Sequence, residues 1–171
     1  MIKLAKETDA EVLALLGRLT YNESHGHFID DKNDLAIYLD ENFSVSNMRQ
    51  KINDTKNLFF IAYSGDLPVG YAKIVLNANH ESVASQNSCR LQRIFILADF
   101  IPLKIGLQLL RFVEEKAKEL KLDNLWLSVY IKNHRAIRFY EKNEFKDVGE
   151  LSFLVNGKHY QNIVFSKKIL S

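Results

Sequence analysis

Between residues 105 and 120 apolar side chains recur at the spacing of one helix face. Ile105, Leu109, Val113 and Ala117 form a stripe with Leu110 and Leu120 beside it, and Glu114, Lys116 and Lys118 can face out. A strand-forming run precedes this helix, Cys89 to Leu97, and another follows it, Leu125 to Tyr130. A strand–helix–strand unit of this kind closes as a parallel crossover, so one parallel pair with a helix laid across it is predicted.

The remaining segments predict antiparallel partners. Leu58 to Tyr63 and Val69 to Leu76 are apolar runs joined by the turn Ser64-Gly65-Asp66-Leu67-Pro68, which reads as a hairpin. Phe145 to Leu154 and Tyr160 to Lys168 form a second hairpin about the turn signal Asn156-Gly157. Met1 to Lys6 supplies a short strand. Helices are predicted from Glu7 or Thr8 through Leu19, from Asp34 to Asn42, from Ser44 or Ser46 to Asp54, and from Asn133 to Lys142. Tyr21 to Asp31 and Asn77 to Ser88 are polar and read as loops. The expected fold is α/β of the α+β kind: a mixed, mostly antiparallel sheet of about seven strands flanked by helices.

With 171 residues, two prolines and no shift in composition, one domain over residues 1–171 is expected. A net charge of +2 without a Lys/Arg run predicts no nucleic-acid partner. No apolar run approaches the roughly 20 residues that span a bilayer, and the N-terminus lacks a signal core, so a cytoplasmic protein without membrane attachment is expected. The single cysteine, Cys89, excludes an internal disulfide and reads as a buried strand residue. His25 and His27 find no second Cys/His pair, so no metal site is expected.

The chemistry concentrates in residues 125–145. A strand ends at Tyr130. Asn133, Ala136, the pair Phe139-Tyr140 and Phe145 then follow at fixed spacing. Asn133 and Tyr140 are seven residues apart, which on a helix places them on one face about 10 Å from each other. This segment resembles the B motif of the GNAT N-acetyltransferases, with Glu144 where that family usually has Gly. The resemblance spans nearly the whole chain and looks nearest to the bacterial spermine/spermidine N-acetyltransferase branch, to whose acceptor region residues 20–28 and 38–43 are similar. It implies the acyl-CoA N-acyltransferase fold, acetyl-CoA as co-substrate, a small amine as acceptor and room for a homodimer.

By the same resemblance Asn133 binds the pantetheine arm, with Ala136, Phe139 and Lys142 beside the cofactor. Tyr140 lies near the cofactor sulfur and protonates the departing thiolate as general acid. Residues 93–106 look like the family's A motif, in which helix-start amides and glycines cradle the pyrophosphate. Ile101 stands where Gln or Arg is usual, Lys104 replaces the first Gly, Gly106 is kept, and Pro102 suits a first helical position. The implied cofactor contacts are Ile101, Leu103, Lys104, Ile105, Gly106 and Leu107, together with the backbone of Ile94, Phe95 and Ile96 pairing with the pantetheine amides. Lys104 can bring an ammonium to the phosphates.

The acceptor must attack as a neutral amine, which at pH 7 costs about 4 kcal/mol for an alkylammonium. Candidate acids are Glu23, Asp30, Asp31, Asp40, Glu41 and Glu81; candidate bases are His25, His27 and His80. Arg90 and Gln92 stand where the polyamine branch often carries acids. Two readings follow: an acetyltransferase acting by direct attack in a ternary complex, and a non-catalytic acyl-CoA-binding module with an altered pyrophosphate loop.

Overall fold

The computed structural model describes residues 1–170. In chain order the elements are β1 (Ile2–Leu4), α1 (Ala10–His25), α2 (Lys32–Phe43), α3 (Val45–Asn53), β2 (Asn57–Ser64), β3 (Leu67–Val75), β4 (Ser88–Ile96), α4 (Ile105–Glu119), β5 (Asn124–Tyr130), α5 (His134–Lys142), β6 (Lys146–Val155) and β7 (Lys158–Lys168). One seven-stranded sheet runs in the order β1-β2-β3-β4-β5-β7-β6. The pair β4–β5 is parallel, as the helix between them requires, while β1–β2, β5–β7 and β6–β7 are antiparallel. Among the described residues no helix is long and apolar enough to cross a membrane.

By its internal contacts the chain forms two compact units. One comprises Met1–Ile74 and Arg93–Val113; the other comprises Val75–Gln92 and Glu114–Ser171.

In the first unit α1 runs six residues beyond Leu19, through much of the stretch expected to be loop. The polar side chains there satisfy themselves within the helix. Thr20 donates to the Leu16 carbonyl at 2.6 Å and Ser24 to the Thr20 carbonyl at 2.6 Å. The aromatic ring of Tyr21 is buried and stacks on Tyr38 at 4.6 Å. Tertiary packing therefore overrides the weak local propensity. A 3₁₀ turn, Gly26–Phe28, follows. Ser44 caps α3 by accepting from the Asn47 amide at 3.3 Å. The β2–β3 turn is tighter than expected: Gly65 takes φ 59°, and Leu67 and Pro68 already belong to the strand.

In the second unit the β6–β7 hairpin turns through Asn156 at φ 47° and Gly157 at φ 79°, the left-handed pair that a two-residue hairpin needs. The core holds Leu125, Leu127, Val129, Tyr140, Phe145 and Phe165. Of the expected α4 stripe, Ala117 is buried but Leu120 lies just past the helix and is 42% exposed. Glu114 does not simply face solvent either, since its carboxylate pairs with Lys167 at 2.9 Å.

Candidate functional site

In the second unit Asn133 sits at the junction of β5 and α5. Its amide donates to the Tyr130 carbonyl at 2.8 Å, and its side-chain oxygen accepts from the Ala136 amide at 3.2 Å. It is thus the N-cap of α5 rather than its first helical residue, and its side-chain NH₂ is left for another partner. One face of α5 carries Ala136 and Phe139, both half-buried, while Lys142 is exposed. Tyr140 is 6% exposed, its ring among Phe139 at 5.2 Å, Phe145 at 5.5 Å and Phe165 at 6.5 Å. Burial disfavours the phenolate and pushes the pKa of Tyr140 well above the usual tyrosine range. The side chain is therefore a proton donor at every physiological pH.

At the end of α5 the amide of Phe145 donates to the Tyr140 carbonyl at 3.1 Å, closing the helix with Glu144 in the left-handed region at φ 68°. This is the position where the family motif has Gly. The backbone keeps a glycine's conformation although the residue has changed.

In the first unit Ile94, Phe95 and Ile96 end β4 half-buried. A 3₁₀ turn, Ala98–Leu103, follows. Its first amide, that of Ala98, donates to the Glu23 carboxylate of α1 at 2.9 Å. Pro102 lies inside this turn, not at the first position of α4 as expected. Lys104 is again left-handed at φ 57° where the family motif has Gly. Its carbonyl accepts the amides of Leu107 and Gln108 and so starts α4. The amides ahead of these have no intrahelical acceptor. Gly106 lies against β4: an added Cβ would stand 3.1 Å from Ile96 Cδ1. Ile101 and Leu107 are half-buried, Ile105 is buried and Leu103 is exposed.

Several candidate acids and bases have structural partners. Glu23 caps the turn after β4, Asp31 caps α2 through the Asn33 amide at 2.8 Å, and Asp40 pairs with Arg18 at 2.7 Å. Asp30, Glu41 and Glu81 are exposed. The His25 ring stacks on Tyr21 at 4.9 Å and meets Phe95 edge-on at 5.4 Å, with Ser24 Oγ 2.7 Å from its Nδ1. Burial first, and nearby His27 second, lower its pKa to about 4, so the ring is neutral at pH 7 but a weak base. His27 is exposed, packed on Phe28 at 3.9 Å. His80 Nδ1 accepts from the Ser82 amide at 3.2 Å. Cys89 is fully buried and burial pushes its thiol up to about 12, which agrees with the inert strand residue expected.

Two polar groups escape a reading by motif. In the first unit the Arg93 guanidinium is buried over the Phe43 ring at 4.4 Å, donates to Asn42 Oδ1 at 3.4 Å, and leaves Nη1 without a hydrogen bond among the described residues. Desolvation, and secondarily Arg93, lower Lys51 to about 8. In the second unit Arg90 lies over the Trp126 ring at 4.9 Å and donates to Ser128 Oγ at 3.0 Å, and Asn162 donates to the same oxygen at 3.4 Å. The signal for this group was the alternation Trp126, Ser128, Tyr130 along β5, which is visible only once β7 is known to lie alongside.

Known proteins share this sequence pattern and this fold. An uncharacterised N-acetyltransferase from the pepI 3′ region of Lactobacillus delbrueckii subsp. lactis is 23% identical over 165 residues, 96% of this chain and 94% of its own. An uncharacterised N-acetyltransferase of Mycobacterium tuberculosis is also 23% identical, over 95% of this chain and 99% of its own. Among solved structures, the PaiA N-acetyltransferase of Thermoplasma acidophilum in complex with coenzyme A superposes with a TM-score of 0.76 at 20% identity, over 98% of each chain. The sequence model of the Acetyltransferase (GNAT) family matches residues 20–145, from α1 through the end of the Asn133–Phe145 motif. The chain therefore belongs to the GNAT family of acetyl-CoA-dependent N-acetyltransferases.

Proposed function

We propose that the chain acts as one catalytic domain that transfers acetyl from acetyl-CoA to a primary amine by direct attack in a ternary complex. The observation that carries this reading is Tyr140: a buried, protonated phenol on a helix capped by Asn133, at the spacing of the family's motif. In this reading the acceptor nitrogen adds to the thioester carbonyl and the C–S bond breaks. The proton lost by the nitrogen balances the one taken up by sulfur. A phenol with so high a pKa helps by donating a hydrogen bond to the leaving sulfur, the proton moving only as charge develops there.

The other roles follow their chemistry. The NH₂ of Asn133, whose oxygen is held by the cap, donates to a carbonyl of the pantetheine arm. Ala136, Phe139 and Lys142 line that arm. Backbone groups of Ile94, Phe95 and Ile96 pair with its amides, and one amide there holds the oxyanion. Ile101, Leu103, Lys104, Ile105, Gly106 and Leu107 surround the pyrophosphate at the start of α4, with the Lys104 ammonium in place of the missing glycine. The coenzyme A bound by the Thermoplasma relative supports a cofactor site on this fold.

A polyamine is the narrower acceptor suggested by residues 20–28 and 38–43. Glu23, Asp31 and Asp40 in or near those stretches already have protein partners, which weakens it. The altered pyrophosphate loop supports a second reading, a module that binds acyl-CoA without turnover.

The test is CoA release from acetyl-CoA with polyamines, amino acids and aminoglycosides, Tyr140→Phe beside the wild type. Acceptor-dependent release that falls about 10²-fold or more in the variant supports the enzyme. Acetyl-CoA binding without release from any amine supports the module.

A further inference from the structure

We propose that Arg90, Ser128 and Asn162 form a subsite for an anionic group on the acceptor, so that the amine acetylated is one that carries a carboxylate. This inference rests on the acetyl-transfer reading above and names its substrate class.

Side chains two apart on a strand share a face, so Trp126, Ser128 and Tyr130 of β5 project together. Directly paired residues share a face as well, which adds Arg90 beside Trp126 and Asn162 beside Tyr130. Part of this face is apolar: Val83, Trp126 and Val164 pack into one buried cluster. Three polar side chains beside such a cluster carry a desolvation cost unless they serve each other or a ligand.

The group left unserved is the side-chain oxygen of Asn162. Ser128 Oγ receives a hydrogen bond from Arg90 at 3.0 Å and one from Asn162 at 3.4 Å. Two donors converge on one hydroxyl, which keeps the guanidinium and the amide within reach of a single small molecule. Asn162 is only 7% exposed, and its side-chain oxygen meets no donor among the described residues. A buried carbonyl oxygen left unpaired costs about 1–3 kcal/mol, and an N–H from a ligand would remove that cost. The guanidinium lies over the Trp126 ring at 4.9 Å on a half-buried side chain, and its planar fork suits a carboxylate.

The pieces fit one molecule: a carboxylate on Arg90 and an amine N–H on the Asn162 oxygen, a few bonds apart, as in an amino acid. A polycation would meet a guanidinium and no carboxylate in this trio. The position also suits an acceptor. Tyr130, paired with Asn162, accepts the amide of Asn133, so Ser128 lies on the strand that leads into the Asn133–Tyr140 segment, with Arg90 and Asn162 on the strands beside it.

The experiment measures kcat/KM for glycine, lysine and glutamate, each beside its methyl ester, with spermidine as the polycation, in wild type, Arg90→Met and Arg90→Lys. Thermal midpoints of the CoA-loaded protein with each compound are read in parallel. The expected result is a preference for acid over ester of about 10-fold to 100-fold, from a charge-assisted bond of about 1.5–3 kcal/mol. That ratio should collapse toward one in Arg90→Met and be partly kept in Arg90→Lys. Preference for the esters or spermidine by the wild type overturns the proposal. So does a ratio unmoved by Arg90→Met, or no acid that is either turned over or shifts the midpoint. If Arg90→Met does not fold, the wild-type ratio and Arg90→Lys decide. Absence of acetyl-CoA binding in a direct titration removes the parent reading as well, and so is distinct from a failure of the subsite alone.

Discussion

Glu144 and Lys104 occupy left-handed backbone at the two places where the family motifs call for glycine. A Cβ in that region is strained, and glycine relieves the strain at an entropic cost in the unfolded chain. Glu144→Gly is expected to stabilise the protein by about 0.5–1 kcal/mol, read from urea midpoints at constant slope. The ion pair it gives up, Glu144 to Lys167 at 3.4 Å, has its carboxylate largely in water, and Lys167 keeps its shorter bond to Glu114, so the loss offsets little. A loss of stability on this substitution would show that φ at 144 is not the controlling factor. His25 makes a second residue-scale prediction. Its folded pKa of about 4 lies below the ordinary 6.5, so above pH 6.5 the ring is neutral in both states. Between pH 6.5 and 4 the unfolded chain takes up the proton first, and stability falls by up to about 3 kcal/mol. Urea unfolding at pH 4.5 and 7 should show this loss, and His25→Gln should show less of it. An equal loss in both proteins would place the acid sensitivity elsewhere.

At the scale of elements, α1 and α2 meet where α1 has no side chain. A Cβ on Gly17 would overlap the Phe43 ring at Cδ1, and Phe43 is fully buried. Alanine there gains helix propensity of up to about 1 kcal/mol, yet the clash should cost about 1–3 kcal/mol and win. A raised thermal midpoint for Gly17→Ala would contradict this packing. The elements also show where sequence reading succeeds. The stripe of α4 between two strand-forming runs named the parallel crossover correctly, because periodicity and connection length are local properties. The hairpin at Asn156-Gly157 was legible for the same reason. The second half of α1 was not: residues 20–25 are polar or aromatic, and what holds them helical is a ring stack with Tyr38 on another helix. The site divides likewise. Asn133 and Tyr140 are named by the resemblance to the family motif, whereas the work of Glu23 on the turn after β4 and the convergence of Arg90 and Asn162 on Ser128 need pairings between distant segments.

For the molecule as a whole, the contact between Glu23 and the Ala98 amide spans 75 residues of sequence. A bond across so long a loop is won late on the path to the native state, after shorter-range helices and hairpins have formed. Glu23→Gln is expected to accelerate unfolding while leaving the folding limb of a chevron nearly unchanged. A slowed folding limb would mean the contact belongs to the nucleus instead. The same span has a consequence during synthesis. Translation delivers α1 first, and its carboxylate at position 23 must wait for residue 98 to leave the ribosome before the turn ahead of α4 can be fastened. A ribosome-bound chain halted short of that point therefore lacks the finished entrance to α4.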